Sequence, residues 1–103
     1  DKAYIASHNI RLGTGISGWV AETGQSVRVG DVRQHPHYHP IRDNIRSELC
    51  VPLLLGDHSI GVVNVETPKP NAYTEADQRV LETIAAQIAV VLQSRDIDLR
   101  TDP

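Results

Sequence analysis

The sequence predicts a single α+β domain in which an antiparallel β-sheet packs against a long C-terminal helix. Two strand patterns separated by a short glycine-containing turn predict an antiparallel hairpin over residues 47–66. An apolar stripe at helical spacing then predicts a helix from Thr74 to about Arg95. The length of 103 residues suits one domain, and the apolar fraction of 40% suffices for one modest core.

The composition argues against several classes of protein. The 13 acidic and 10 basic residues are interspersed, without the basic stripe that is typical of a nucleic-acid-binding protein. Apolar runs such as Val51 to Leu55 are too short to span a bilayer, so no membrane contact is expected. Cys50 is the single cysteine, which excludes a disulfide within the chain and favours a reducing compartment, the cytoplasm.

The first part of the chain contains short elements separated by turns. A strand is predicted over residues 3–10, and apolar residues at helical spacing predict a helix of about two turns over residues 16–23. Gly24 follows at the position that a C-cap glycine occupies. A brief strand is then predicted over residues 26–29.

A long segment without apolar periodicity follows, over residues 30–46. Pro36 and Pro40 restrict its backbone, and a helical turn is expected over residues 41–45. Irregular loops of this length are uncommon in compact domains unless they are functional. The segment is therefore the first place to look for a binding site.

The hairpin has the clearest strand pattern. Its strands are predicted over residues 47–55 and 59–66, with a three-residue connection at residues 56–58. One face of the first strand carries four aliphatic residues: Leu49, Val51, Leu53 and Leu55. We expect Ile60 and Val62 to face them from the second strand. Alternate positions are apolar as well, so both faces of the sheet are expected to be covered.

The C-terminal helix has a defined start and a wide apolar surface. Thr74 and Asp77 resemble a capping box, and Glu75 can pair with Arg79 one turn later. The apolar surface consists of Leu81, Ile84, Ala85, Ile88, Val91 and Leu92, widened by Val80, Ala89 and Val90. Because this surface is broader than one packing face needs, we expect the helix from Thr74 to Arg95 to form a homodimer as well. Residues 96–103 are interpreted as a tail or the start of a signalling linker.

Two motifs, one rich in glycine and one rich in histidine, suggest a cofactor or a metal, and no such site is predicted from either. Gly13, Gly15 and Gly18 match the dinucleotide fingerprint in spacing, but the helix that follows ends at Gly24 and is too short for that fold. The glycines are instead interpreted as shaping a tight strand-to-helix turn. No cofactor is predicted.

A histidine-rich stretch lies in the long segment: His35, His37 and His39, with Tyr38 among them. Alternate histidines on an extended strand could reach one ion. The prolines disturb that geometry, and neither cysteine nor paired carboxylates lie nearby in sequence. No metal site is predicted, and two readings stay open: a solvated loop anchored by Tyr38, or imidazoles that contact a polar ligand or titrate near neutral pH.

No catalytic set of residues is found. Cys50 lies within a predicted apolar strand, where a thiol behaves as a small apolar group. Ser17, His8 and Asp31 show no spacing typical of a nucleophilic triad. The expectation is that the chain is not an enzyme.

Five segments together resemble the GAF domain family. They are Gly15-Ile16-Ser17-Gly18-Trp19-Val20-Ala21-Glu22-Thr23-Gly24-Gln25, Val29-Gly30-Asp31-Val32, Arg46-Ser47-Glu48-Leu49-Cys50-Val51-Pro52-Leu53, Ile60-Gly61-Val62-Val63-Asn64-Val65-Glu66 and Tyr73-Thr74-Glu75-Ala76-Asp77. The resemblance runs from about residue 12 to residue 93 and rests on the order and spacing of these segments.

The resemblance implies a GAF/PAS-like antiparallel sheet of six strands, with helices on one face and a small-molecule pocket on the other. Residues 30–46 would roof this pocket, and the ligand-binding residues would be Asp31, Tyr38, His39, Ile41, Arg46, Ser47 and Cys50. The family begins with a helix and at least one strand before the point that corresponds to Asp1, so the single domain over residues 1–103 is expected to be truncated at its N-terminus.

Chemically specialised branches of the family are less similar to this chain. Members that reduce free methionine sulfoxide carry several cysteines, one of them where Ser17 stands here. Cyclic-nucleotide-binding members share a signature that contains Phe, which this sequence lacks. Members that attach a bilin use a cysteine in the pocket roof, and residues 30–46 contain none.

The resemblance therefore implies a regulatory domain that senses a small molecule within a sensor kinase, a cyclic-nucleotide enzyme or a transcription activator, and that signals through its terminal helix. The alternative is a structural dimerisation module whose pocket is degenerate and empty. Enzymatic activity is a more distant alternative, which a second cysteine in the preceding part of the protein would revive.

Overall fold

The computed structural model describes the backbone of residues 2–6, 15–35 and 44–101 and the side chains of residues 15–35 and 44–94. Its elements are β1 (Lys2–Ala6), α1 (Gly15–Thr23), β2 (Val27–Val29), a 3₁₀ turn (Val32–Gln34), β3 (Ser47–Leu55), β4 (His58–Thr67) and α2 (Glu75–Thr101). The described strands form an antiparallel sheet in the order β1-β4-β3-β2. The predicted α+β class with a long C-terminal helix is confirmed. Six strands were implied, and four lie among the described residues.

The hairpin of β3 and β4 closes through a shorter turn than predicted. Leu55 pairs with His58, so the connection consists of Gly56 and Asp57 alone. Gly56 has φ 62°, which suits the first central residue of a type II′ turn. The prediction of a three-residue connection was wrong, because this glycine allows the two strands to pair directly beside a two-residue turn.

An extra residue in β4 decides which side chains share a face. Leu53 pairs with Gly61 and Leu54 with Ser59, so Ile60 is bulged out of the ladder. Val63, rather than Val62, consequently lies opposite Val51. The expectation that Val62 faces the same side as Leu49, Val51 and Leu53 was wrong, since a one-residue bulge reverses the alternation beyond it.

The two faces of the sheet carry two separate apolar clusters. On one face, which we call the α2 face, the buried residues are Leu49, Val51, Leu53, Val63, Ala85 and Ala89. On the opposite face, the α1 face, they are Ile16, Val20, Val32, Ile45, Cys50 and Val62. The long helix thus covers one side of the sheet, and the short helix α1 covers the other.

The helix ends agree with the predicted caps. Gly24, with φ 70°, follows α1 and donates its N–H to the Val20 carbonyl at 2.9 Å. At the start of α2, the Thr74 N–H donates to Asp77 Oδ2 at 2.8 Å and the Asp77 N–H to Thr74 Oγ1 at 3.1 Å. The helix continues to Thr101, beyond the predicted end at Arg95. Among the described residues, no helix combines the length and apolarity needed to cross a membrane.

Candidate functional site

Two glutamates are buried side by side on the α1 face. Glu48 of β3 pairs in register with Glu66 of β4, and the two residues are 4% and 7% exposed. Two residues along each strand, Asn64 lies opposite Cys50, and both are almost fully buried. Residues two apart on a strand face the same side. These four side chains therefore form one buried polar group, which we call the carboxylate cluster (Glu48, Cys50, Asn64 and Glu66).

Burial and like charge act together on Glu48. Its pKa is raised to about 7, chiefly by burial and next by the adjacent charge of Glu66, while a hydrogen bond with the Asn64 side chain acts in the opposite direction. A carboxyl group with this pKa is a mixture of acid and carboxylate near neutral pH. The charge of Glu48 can therefore change when a charged ligand binds beside it or when the carboxyl group binds a proton.

Helix α1 covers this cluster with one polar contact and an apolar rim. Ser17 Oγ lies 3.9 Å from Cys50 Sγ, within the distance for a weak hydrogen bond to sulfur. Ile16 and Val20 of the helix are buried beside it, with Trp19 packed at the edge. The carboxylate cluster therefore adjoins α1 through Cys50.

The two described ends of the 30–46 segment meet at the edge of the α1 face. The Val32 N–H donates to the Arg46 carbonyl at 2.6 Å, and the Arg46 N–H donates to the Thr67 carbonyl at 3.0 Å. Val32 and Ile45 are both buried in the cluster under α1. The segment is therefore anchored to the sheet beside Glu48 at both ends.

The Cys50 thiol is poorly suited to ionise. Burial, followed by the charge of Glu48, raises its pKa to about 12, and the contact with Ser17 only partly opposes this. The thiolate, which is the reactive form, is accordingly scarce at neutral pH.

The residues predicted to bind ligand fall in different places. Asp31 caps the 3₁₀ turn and forms an ion pair with Arg33 at 2.9 Å, which lowers the pKa of its carboxyl. Cys50 belongs to the carboxylate cluster, and Arg46 anchors the loop through its backbone. Ser47 is buried and lies two residues before Leu49 on β3, so it faces the α2 side of the sheet. Its hydroxyl donates there to the Lys69 carbonyl at 2.5 Å. Three further predicted residues lie outside the described residues: Tyr38, His39 and Ile41.

Sequence reasoning missed the three polar members that surround Cys50: Glu48, Asn64 and Glu66. Each of them is a polar residue within an otherwise apolar strand, and this pattern could have indicated a buried polar site. The two-residue turn alone would have placed Glu48 opposite Val65, and the bulge at Ile60 brings Glu66 to that position. His37 and His39 of the histidine-rich stretch lie outside the described residues.

The family follows from comparison with known proteins. The family model described as GAF domain matches residues 1–93. This chain belongs to the GAF family. GAF domains occur in sensory and regulatory proteins and bind small molecules, so the functional prediction is confirmed at this general level.

Two curated proteins and one solved structure illustrate what this GAF domain is similar to. It is 27% identical to free methionine-R-sulfoxide reductase of Escherichia coli (strain K12) over 92 residues, which cover 89% of this chain and 56% of that protein. It is 33% identical over 91 residues to nitrogen fixation protein VnfA of Azotobacter vinelandii, covering 80% of this chain and 17% of that protein. The structure of free methionine-R-sulfoxide reductase from Neisseria meningitidis matches with TM-score 0.69 and 33% identity, over 74% of this chain and 46% of that chain.

These similarities correct one prediction. The general statement that this GAF domain is not an enzyme was wrong, because proteins of the same fold at 27% and 33% identity include reductases. The prediction that the chain is not an enzyme rested on single residues such as Ser17. A difference at single positions does not exclude an activity that relatives of the same fold possess. The chain spans about half the length of the first curated relatives that it matches.

Proposed function

We propose that this GAF domain is a small-molecule-sensing regulatory domain of a signal-transduction protein. The carboxylate cluster is the observation on which the proposal rests. Buried ionisable groups cost stability unless they are well paired, and they are concentrated at functional sites. Glu48 and Glu66 form one buried register pair, and burial together with the like charge raises the pKa of Glu48, which is unusual for a purely structural sheet.

The chemistry of the cluster favours a class of ligand. Glu48 and Glu66 together present acceptor oxygens and negative charge, so the proposed ligand carries an ammonium or another group rich in hydrogen-bond donors. Binding of a cation would lower the pKa of Glu48 and fix it as a carboxylate. The sequence-predicted residues Asp31, Tyr38, His39, Ile41, Arg46 and Cys50 remain proposed contacts at the margin of this site. Ser47, which faces the other side, is proposed to act only through the loop that it holds.

The output is proposed to pass through α2. Val80, Val90 and Val91 of this helix are 60%, 60% and 58% exposed, which supports a homodimer in which α2 meets its counterpart. The parent protein would be a sensor kinase, a cyclic-nucleotide enzyme or a transcription activator. The single cysteine supports a cytoplasmic location.

A ligand screen with matched variants tests the sensing role. The unfolding temperature is measured with a panel of amines, amino acids and nucleotides, because a ligand specific to the folded state raises it by mass action. Glu48→Gln should abolish the response to an amine, and Glu22→Gln, at an exposed position of α1, should keep it. A panel without any response would favour the structural dimerisation module instead.

A second candidate function follows from the similarity to the Escherichia coli reductase. Because the Cys50 thiol is fully buried, this reading requires α1 to move aside before the thiol can take the oxygen of free methionine sulfoxide, which leaves methionine and a cysteine sulfenic acid. Two equivalents of an external thiol then restore Cys50, with release of water and a disulfide. Methionine formed from the sulfoxide in the presence of dithiothreitol, and lost in Cys50→Ser, would establish this activity. Equal turnover in that variant would refute it.

A further inference from the structure

The short strand β2 forms the edge of the described sheet, beside β3, and its two sides contact different parts of the molecule. Val27 and Val29 point to the α1 face, where they pack against the apolar cluster beneath α1. Val29 pairs in register with Glu48, and Val27 with Cys50. One side of this strand is thus part of the surroundings of the carboxylate cluster.

The alternate residues of this segment are bonded to α2 and to the loop that leads into it. Ser26 Oγ donates to Glu82 Oε2 of α2 at 2.5 Å. Arg28 Nη1 donates to the Tyr73 carbonyl at 3.3 Å. Gly30 accepts the Asn71 N–H at 3.0 Å, and the Asn71 side chain fills the space beside its Cα.

These contacts span a partly empty space at the edge of the sheet. An open groove of about 470 Å³ adjoins Ser26 and Glu82, and another of about 510 Å³ adjoins Arg28, Gly30 and Asn71. Polar contacts across such a gap are not duplicated by close apolar packing. Movement of β2 would therefore reach α2 directly through these polar contacts, in addition to the route through β3, on which α2 packs.

We propose that the segment from Ser26 to Gly30 is a coupling element that transmits changes beneath α1 to the start of α2. This inference rests on the proposed sensing function, since it supplies the physical route from ligand to output helix. A ligand at the carboxylate cluster would displace Val27 and Val29, which share the sheet face with it. The neighbouring residues Ser26 and Arg28 would then shift their contacts with Glu82 and Tyr73. The first turns of α2 would shift as a consequence.

The coupling can be measured without knowing the ligand. Amide hydrogen exchange is followed by mass spectrometry in wild type, Ser26→Ala and Glu82→Ala, which removes the acceptor of the Ser26 hydroxyl. Each variant should speed the exchange of α1 amides relative to that of β3 amides by about fivefold, the equivalent of one typical hydrogen bond. Glu75→Gln, which breaks the ion pair with Arg79 within α2, should leave that ratio unchanged. Use of a ratio separates coupling from a general loss of stability, which would speed both regions alike.

A reciprocal experiment tests the direction from site to helix. Glu48→Gln should alter the exchange of residues 75–82 in the wild-type background, and this effect should disappear when Glu82→Ala is also present. Strictly additive effects, or an unchanged α1 ratio in both single variants, would overturn the coupling. Because no ligand is used, a failed ligand screen would count against the sensing role alone, and a failed exchange experiment against the coupling alone.

Discussion

Glu48 makes the stability of this domain depend on pH in an unusual direction. Its pKa in the folded protein is about 7, against an ordinary glutamate pKa of about 4.5 in the unfolded chain. Between these values the folded state binds more protons than the unfolded state, so the free energy of unfolding falls as the pH rises. The stabilisation is complete below about pH 4.5 and is lost as the pH passes through 7.

Glu48→Gln should remove this dependence, because glutamine resembles the protonated acid and does not titrate. We expect the free energy of unfolding at pH 8 to rise by up to about 3 kcal/mol, the linkage equivalent of the pKa difference. Urea denaturation at pH 5 and pH 8 measures this effect. Glu22→Gln, at an exposed position, serves as control, and a wild-type pH slope in Glu48→Gln would contradict the assignment.

Cys50 should be chemically inert in the folded protein. It is 0% exposed, and its pKa is raised to about 12 by burial and by the charge of Glu48. Iodoacetamide at pH 8 should therefore alkylate it far more slowly in the native chain than in the same chain unfolded in guanidinium. Mass spectrometry over time reports the extent of modification. Similar rates in both conditions would show that α1 opens readily or that the thiol is activated.

At the scale of elements, the start of α2 depends on the reciprocal bonds of Thr74 and Asp77. Thr74→Ala removes the hydroxyl that accepts the Asp77 N–H and should lower the free energy of unfolding by about 1 kcal/mol. Thr74→Ser keeps that acceptor and should stay close to wild type. Thermal unfolding followed by circular dichroism distinguishes the two variants. Equal losses in both would mean that the methyl group of Thr74, not the cap, stabilises this helix end.

Elements with a strong local signal could be predicted from the sequence, and their mutual arrangement could not. The predicted bounds of β3 match the structure, and the caps of α1 and α2 were visible as Gly24, Thr74 and Asp77. The bulge at Ile60 left no such signal, because whether a residue is paired depends on the opposite strand. That bulge in turn moved Val62 to the α1 face.

At the scale of the whole molecule, the exposed valines of α2 favour self-association. Val80 and Val91 lie on one side of the helix, and Val80 also lines an open groove of about 710 Å³ with Tyr73 and Leu81. The double variant Val80→Glu, Val91→Glu should sediment as a monomer with unchanged helical content, since charges oppose burial of this surface. Gln93→Glu, on the opposite side of the helix, should remain dimeric. A wild-type monomer at high concentration would refute the dimer.

The α+β class, the central hairpin, the long helix and the resemblance to the GAF family could all be inferred from the sequence. They depend on periodicity, capping residues and the order of segments, which are all properties of neighbouring residues. The fold was needed to show that α1 and α2 cover opposite faces, that Val62 lies on the α1 face and that Glu48 lies beside Glu66. These relations depend on packing, on strand register and on a single bulge, which arise between elements rather than within one.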